Sequence, residues 1–370
     1  MQKGISNDDR ALDSLRREID KVDTQILALL KERMNLVHQV GVQKHQVGSS
    51  IYRPERERAI IERLSADLGD GDFLDKKAVS AIYQEIFAIS RNLEMRQKVA
   101  FLGPIGSYTH QAARERFGAM SEYIALTTIP SVFKALEQGR VKYGVVPIEN
   151  NTNGMVGATI DHLSNSNLKI IAELVLPIHH SFVSQCEHLS QVRKIYSKDI
   201  AFGQCSEFLK SHNLDDLEFV SVDSTARAAQ IVSEEHSSAA ICSKVAAKLY
   251  GLPVMFENIE DTHDNRTRFV VVSDFVNAPS GNDKTSVFAT LRNYKETAAL
   301  FGLLEDFKTF GINLTKIDSR PIKAQHNFAF GFFIDFKGHY LDKNVQGLFA
   351  KRKDELKWLG SYVAGFDFEA

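Results

Sequence analysis

Between residues 12 and 40 the apolar positions Leu12, Leu15, Ile19, Val22, Ile26, Leu29, Leu36 and Val40 recur at helical spacing, which marks the stripe of one long amphipathic helix. Arg33 interrupts that stripe. With no proline or glycine before Gly41, the helix is predicted to run roughly 30 residues, about 45 Å at 1.5 Å per residue. A domain of about 95 residues is only about 32 Å across, so the helix overhangs it and leaves apolar side chains in water. The pattern therefore predicts a helical dimer, in which a second copy covers the stripe. Two more helices are predicted, from Pro54 to about Leu68 and from Leu74 to about Gln97, parted by the turn Gly69-Asp70-Gly71-Asp72.

At Val99 the texture changes. Short β-rich runs, among them Val99 to Leu102, Tyr143 to Pro147, Lys169 to Leu174 and Ala239 to Cys242, alternate with helical stretches, which predicts an α/β unit. The polar, breaker-rich stretch from Asn277 to Asp283 has the composition of a linker. Beyond it the pattern predicts a strand (Thr285 to Leu291), a helix (Glu296 to Phe310), two strands (Asn313 to Ile322 and Phe328 to Phe336), a helix (Asn344 to Leu356) and a strand (Trp358 to Val363). That βαββαβ order is the ferredoxin-like α+β plan. The chain is thus multidomain: all-α at 1–97, α/β at 98–276, a linker at 277–283 and an α+β unit at 284–370.

Charge and composition narrow the partners. The 370 residues carry 45 basic and 47 acidic side chains, a net charge of -2, so no long-range field recruits nucleic acid or an anionic membrane. No apolar run reaches the roughly 18 residues of a membrane span, and the polar start from Met1 to Arg17 lacks the apolar core of a signal peptide. Cys186, Cys205 and Cys242 are odd in number and far apart, and the 12 histidines are scattered. A cytoplasmic protein with neither a disulfide frame nor a metal is expected.

Glu57 lies three and four residues before Ile60 and Ile61, and Glu94 continues the line Tyr83, Phe87, Ser90, so both, like Arg33, face the apolar interior. An unpaired charge there costs several kcal/mol. These residues either neutralise one another or enclose a charged ligand. Leu15-Arg16, Glu32-Arg33, Lys44, Arg56-Glu57 and Ser90 to Glu94 resemble the active-site pattern of the all-helical chorismate mutases, over residues 10–97. That family rearranges chorismate to prephenate without acid, base or covalent intermediate. The resemblance implies that Arg16 and Arg33 hold the carboxylates, Lys44 donates to the ether oxygen, Glu57 binds the ring hydroxyl, Arg56 assists and Ser90 lines the substrate site. Cations around a dianion, with a donor aimed at an oxygen that gains charge, are electrostatic preorganisation. Two positions depart from the pattern. Glu94 stands where many members carry glutamine and can donate only when protonated, and Arg53 stands where relatives often carry aspartate.

In the α/β unit three polar loops sit at predicted strand ends: Gly103-Pro-Ile-Gly-Ser-Tyr-Thr109, Pro147-Ile-Glu-Asn-Asn-Thr-Asn-Gly154 and Asn265-Arg-Thr-Arg-Phe269. Such loops gather around a ligand crevice, though any one alone reads as an ordinary turn. Gly103 to Gly106 is neither a dinucleotide fingerprint nor a P-loop. Together, in order, with Gln204-Cys205 and Ser224-Thr-Ala, they resemble prephenate dehydratase, over roughly residues 99–273. The resemblance implies two lobes like those of periplasmic binding proteins, loss of carbon dioxide and the ring hydroxyl from prephenate, and no cofactor. It makes Thr267 the essential residue, hydrogen-bonding the leaving oxygen, with Arg268 beside it, and Ser107, Thr109, Glu149, Asn150 and Gln204 as walls of the substrate site.

In the last unit Asp318-Ser319-Arg320-Pro321 resembles the Glu-Ser-Arg-Pro segment of the ACT domains attached to prephenate dehydratases, and Ala298-Ala299-Leu300 their Gly-Ala-Leu motif. These residues are implied to bind phenylalanine between subunits. Asp318 replaces the usual glutamate, and Ala298 adds a methyl where glycine allows close backbone approach. A unit that only dimerises is the structural alternative. Taken together the resemblances imply a homo-oligomeric enzyme of phenylalanine biosynthesis, acting on chorismate and prephenate and inhibited by phenylalanine. The rival is a two-lobed metabolite sensor without turnover, against which the inward Arg33, Glu57 and Glu94 argue.

Overall fold

The structure is a computed structural model describing residues 7–47, 52–69, 71–94, 96–291, 298–321 and 330–364. Three helices open it: α1 (Asn7–Val47), α2 (Pro54–Ala66) and α3 (Lys76–Glu94). At 41 residues α1 is about 61 Å long, because it runs through Gly41 instead of stopping there. A Cβ at Gly41 would lie 3.1 Å from Glu94 Cγ, so the glycine serves the close approach of α3. Pro54 sits at the first turn of α2, where its missing N–H is not needed. The Asp75 carboxylate accepts from Ala78 N at 2.7 Å and caps α3. Among the described residues little covers the far part of α1: Leu15, Ile19 and Leu29 are 63%, 58% and 65% exposed. The overhang read from the pattern is present.

The α/β region has two lobes. The first contains β1 (Lys98–Leu102), α4 (Tyr108–Phe117), β2 (Glu122–Leu126), α5 (Ile129–Glu137), β3 (Tyr143–Asn150), β4 (Gly154–Met155), α6 (Gly157–Asn165) and β5 (Lys169–Pro177). The chain then crosses to the second lobe through β6 (Ser181–Ser184), β7 (Lys194–Ser197), α7 (Asp199–Gln204), α8 (Ser206–Ser211), β8 (Glu218–Ser221), α9 (Thr225–Val232), β9 (Ser238–Cys242), α10 (Lys244–Leu249) and β10 (Val254–Glu257). It returns as β11 (Arg266–Ser273), giving sheets ordered β2-β1-β3-β11-β5 and β10-β6-β9-β7-β8. In the first sheet β11 runs antiparallel to both β3 and β5, while β1 is parallel to β2 and β3. Both faces of that sheet are covered. Phe101, Tyr143, Val145, Phe269 and Val271 pack with Ala112, Ala113 and Phe117 of α4, and Val146, Ile148, Val270 and Val272 with α5 and α6.

The last unit comprises β12 (Asp283–Thr290), α11 (Ala299–Thr309), β13 (Leu314–Pro321), β14 (Phe330–Lys337), α12 (Lys343–Lys351) and β15 (Leu356–Val363), in an antiparallel sheet ordered β13-β14-β12-β15. It is not loosely tethered. Asn277, in the stretch whose composition reads as a linker, is buried and donates to Ile171 O at 2.7 Å and Ser361 O at 3.2 Å. Asp283, buried at the other end, already belongs to β12 and accepts from Ser280 N and Oγ, both at 2.7 Å. Phe333, Leu359 and Tyr362 complete the core under α5 and α6. Among the described residues no helix is long and apolar enough to cross a membrane.

Candidate active sites

The helical site forms where α1, α2 and α3 converge. A cavity of about 420 Å³ is lined by Arg33, Leu36, Val37 and Val40 of α1, by Arg53, Arg56, Glu57 and Ile60 at and within α2, and by Phe87, Ser90, Arg91 and Glu94 of α3. Four arginines against two glutamates leave it cationic. Arg33 Nη1 donates to Ser90 Oγ at 2.6 Å, and its guanidinium lies 5.7 Å from the Phe87 ring centre. Among the described residues Arg33 meets no carboxylate, and burial pulls its pKa down only partly against Tyr83. Glu57 differs. Its carboxylate pairs with Arg91 Nη1, and at 3.4 Å with Arg116 Nη2 of α4. Part of the inward charge is therefore neutralised internally, while Arg33 lines the cavity with no carboxylate beside it among the described residues.

One expected member lies apart. Arg16 projects from the overhanging part of α1, its side chain 66% exposed and 3.4 Å from Asp13, and it does not reach the cavity of its own chain. The side chain of Lys44 lies outside the described residues. Arg91 was missed by sequence reasoning, although it follows Phe87 by four residues and Ser90 by one and so falls on the inner face of α3. Arg116 carried no such signal, because its partner is on another domain.

In the α/β region the residues read as walls of one site separate by strand alternation. Thr267 and Arg268 are neighbours on β11, so their side chains leave opposite faces. Thr267 Oγ1 accepts from Asn150 Nδ2 at 2.9 Å, and the same amide lies 2.8 Å from Asn265 Oδ1. Asn265 O in turn accepts from Ile178 N at 2.8 Å, so Thr267 sits where the two chain crossings between lobes are tied together. Arg268 does not join it. Its buried guanidinium binds Glu173 Oε2 at 2.8 Å, Asp335 Oδ2 at 2.6 Å and the Tyr362 hydroxyl at 2.8 Å. Burial alone would lower its pKa, but Tyr362, Asp335 and Glu173 raise it well above the ordinary value. Glu149 follows Arg268 to that face, 3.7 Å from its Nη1 and paired with Lys316 of β13.

Ser107 caps α4, its Oγ accepting from His110 N at 3.2 Å, and Thr109 is buried in that helix. Ser243 Oγ of the second lobe donates to Gly106 O at 3.3 Å, closing that loop against α10. Gln204 Oε1 lies 3.0 Å from His180 Nε2. His180 N donates to Glu260 Oε2 at 2.8 Å, and the Tyr108 hydroxyl donates to His179 O at 2.6 Å. This cluster, which the sequence did not single out beyond Gln204, joins α4 to both crossings. In the last unit Arg320 Nε reaches Asp161 Oδ1 at 3.1 Å, and Ala298 adopts φ +66. Along β13 the half-buried Lys316, Asp318 and Arg320 alternate with exposed Ile317, Ser319 and Pro321. Ala299 and Leu300 open α11 and pack against the unit's core. Among the described residues no three His, Cys, Asp or Glu side chains are grouped to hold a metal.

An electropositive helical cavity followed by a two-lobed α/β region with a threonine at its hinge defines a two-site enzyme of small anionic metabolites. Residues 15–95 match the family Chorismate mutase type II, and residues 99–275 match Prephenate dehydratase. The chain is 40% identical to the bifunctional chorismate mutase/prephenate dehydratase of Aquifex aeolicus, over 95% of this chain and 97% of that one. It is 37% identical to the Pseudomonas aeruginosa enzyme of the same description, over 96% and 98%. A prephenate dehydratase from Arthrobacter aurescens solved in complex with L-Phe superposes with a TM-score of 0.66 at 32% identity, covering 72% of this chain and 90% of that one. The chain belongs to the bifunctional chorismate mutase/prephenate dehydratase family, and both activities, isomerase and lyase, are its own.

Burial lowers the pKa of His180 from its ordinary 6.5, against the raising effects of Gln204 and Glu260. Above pH 6.5 neither the folded nor the unfolded chain protonates this histidine, and its stability contribution is complete. Below that pH the unfolded chain takes up the proton first and stability drains away. The thermal midpoint should therefore fall on acidification from about 6.5 to about 5, and His180→Gln should flatten that slope. Parallel slopes for the two proteins would remove His180 from the account.

Proposed function

We propose that the chain makes phenylpyruvate from chorismate in two separate sites and is restrained by phenylalanine at a third. Arg33, Ser90, Arg53, Arg56 and Glu94 wall the mutase cavity, and their positive balance suits a dicarboxylate whose rearrangement shifts charge but transfers no proton. The observation that carries this reading is the cavity itself, cationic and open although Glu57 is internally paired. Arg16 is assigned to the cavity of a second copy, which the wet stripe of α1 favours. A homodimer built on α1 follows, and a cytoplasmic setting fits its composition.

For the dehydratase step Thr267 is the residue beside the leaving hydroxyl. Because its Oγ1 already accepts from Asn150, its own proton is available to donate to the departing oxygen. Arg268 and Glu149 are assigned to the junction with the last unit, not to the substrate. The last unit is read as a ferredoxin-like ACT domain. Its βαββαβ order and β13-β14-β12-β15 sheet support this, and Ala298 takes a left-handed conformation in which the family's glycine is at ease. Phenylalanine is assigned to Ala298, Ala299, Leu300 and the strand Asp318 to Pro321, whose Arg320 touches the dehydratase domain directly.

Three measurements test these assignments. Thr267→Ala should abolish phenylpyruvate formation and spare chorismate consumption; retained dehydratase turnover would remove Thr267 from the chemistry. Arg16→Ala and Arg33→Ala proteins, each mutase-dead, should regain activity when unfolded and refolded together, since a mixed dimer holds one site with both arginines; no recovery would place Arg16 outside the partner's cavity. Added L-phenylalanine should lower the prephenate turnover of the full chain by severalfold or more, and an unchanged rate would reduce the last unit to an assembly module.

A further inference from the structure

The carboxylate of Glu57 is shared between two domains. Arg91 of α3 takes Oε1 and Arg116 of α4 lies 3.4 Å from Oε2. Arg116 is itself held, its Nε donating to the hydroxyl of Tyr52 and its backbone oxygen accepting from Arg91 Nη2 at 3.0 Å. Tyr52 precedes α2 in sequence yet is buried in the aromatic core of the neighbouring domain, with Phe117, Tyr143 and Phe275 around it. The Arg116 guanidinium stacks 4.9 Å from its ring centre. Gly118, at φ +73, lets the helices meet this closely, since a Cβ there would lie 2.2 Å from that of Ala88. With each oxygen held by a different cation, the carboxylate is restrained at the edge of the mutase cavity, which Glu57 lines and Arg116 does not.

We propose that Arg116, a residue of the dehydratase domain, positions Glu57 for the mutase reaction, so that the mutase site of this chain is completed by the domain beside it. The proposal rests on the assignment of Glu57 to the chorismate ring hydroxyl. Arg116 is a positioning residue, acting only through Glu57. A group held within a fraction of an ångström of its productive place loses rate steeply when released.

The test uses the full-length chain. Arg116→Gln should lower mutase kcat/KM about tenfold, with Arg116→Lys, which keeps the cation but not the fork, lying between. Prephenate turnover of the same samples, which reports a folded α4, should stay at the parent rate. In a Glu57→Gln background the Arg116→Gln loss should vanish, because nothing remains to be positioned. The proposal is overturned by an Arg116→Gln mutase as fast as the parent, or by a loss that persists undiminished beside Glu57→Gln. A Glu57→Gln enzyme with full mutase activity would instead sink the assignment of Glu57, and the proposal with it. Should Arg116→Gln lose prephenate turnover too, Tyr52→Phe, which removes only the oxygen on Arg116 Nε, is judged by the same criteria.

Discussion

A guanidinium taken out of water must be met by carboxylates, and the domains of this chain are joined where that requirement is satisfied across a boundary. Arg116 of the dehydratase domain meets Glu57 of the mutase helices, and Arg268 of the dehydratase sheet meets Asp335 of the last unit. Breaking such a buried pair by removing one partner typically costs about 3–5 kcal/mol, because it strands the other charge. The junctions are therefore expensive to open one bond at a time. Around each pair the apolar layer is continuous: Tyr52 fills the core on one face of the first sheet, and Phe333, Leu359 and Tyr362 fill the other.

That arrangement sets the dehydratase hinge between two neighbours. On β11, Thr267 faces the crossings between the lobes, and Arg268, one residue on, is anchored to the last unit. The spacing of a single residue couples them mechanically while alternation keeps their chemistry apart. A change in how β13 or β14 seats on the first lobe, through Lys316 and Glu149, Arg320 and Asp161, or Asp335 and Arg268, would be felt one peptide unit from Thr267.

The helical domain shows the opposite economy. Its own chain covers only part of α1, and the stripe from Leu12 to Leu29 stays exposed. The described cavity uses α1 only from Arg33 onward, so the turns before it are surplus to that cavity.

From residue order alone the element types and the long overhanging helix were legible, because periods of 3.6 and 2 are local properties of the chain. So were Arg33, Glu57 and Glu94 as inward charges. Helix ends slipped by a few residues, and α1 passed through Gly41, because close approach to Glu94 outweighs the usual cost of glycine in a helix. Only tertiary structure decided that Arg268 and Glu149 meet the last unit at a domain junction, that the stretch from Asn277 to Asp283 is pinned and not free, and that Arg91 and Arg116 hold Glu57. The reason is the same in each case. Which face of a strand meets which domain, and which carboxylate a buried cation finds, depend on contacts between residues tens to hundreds of positions apart, and no local period records them.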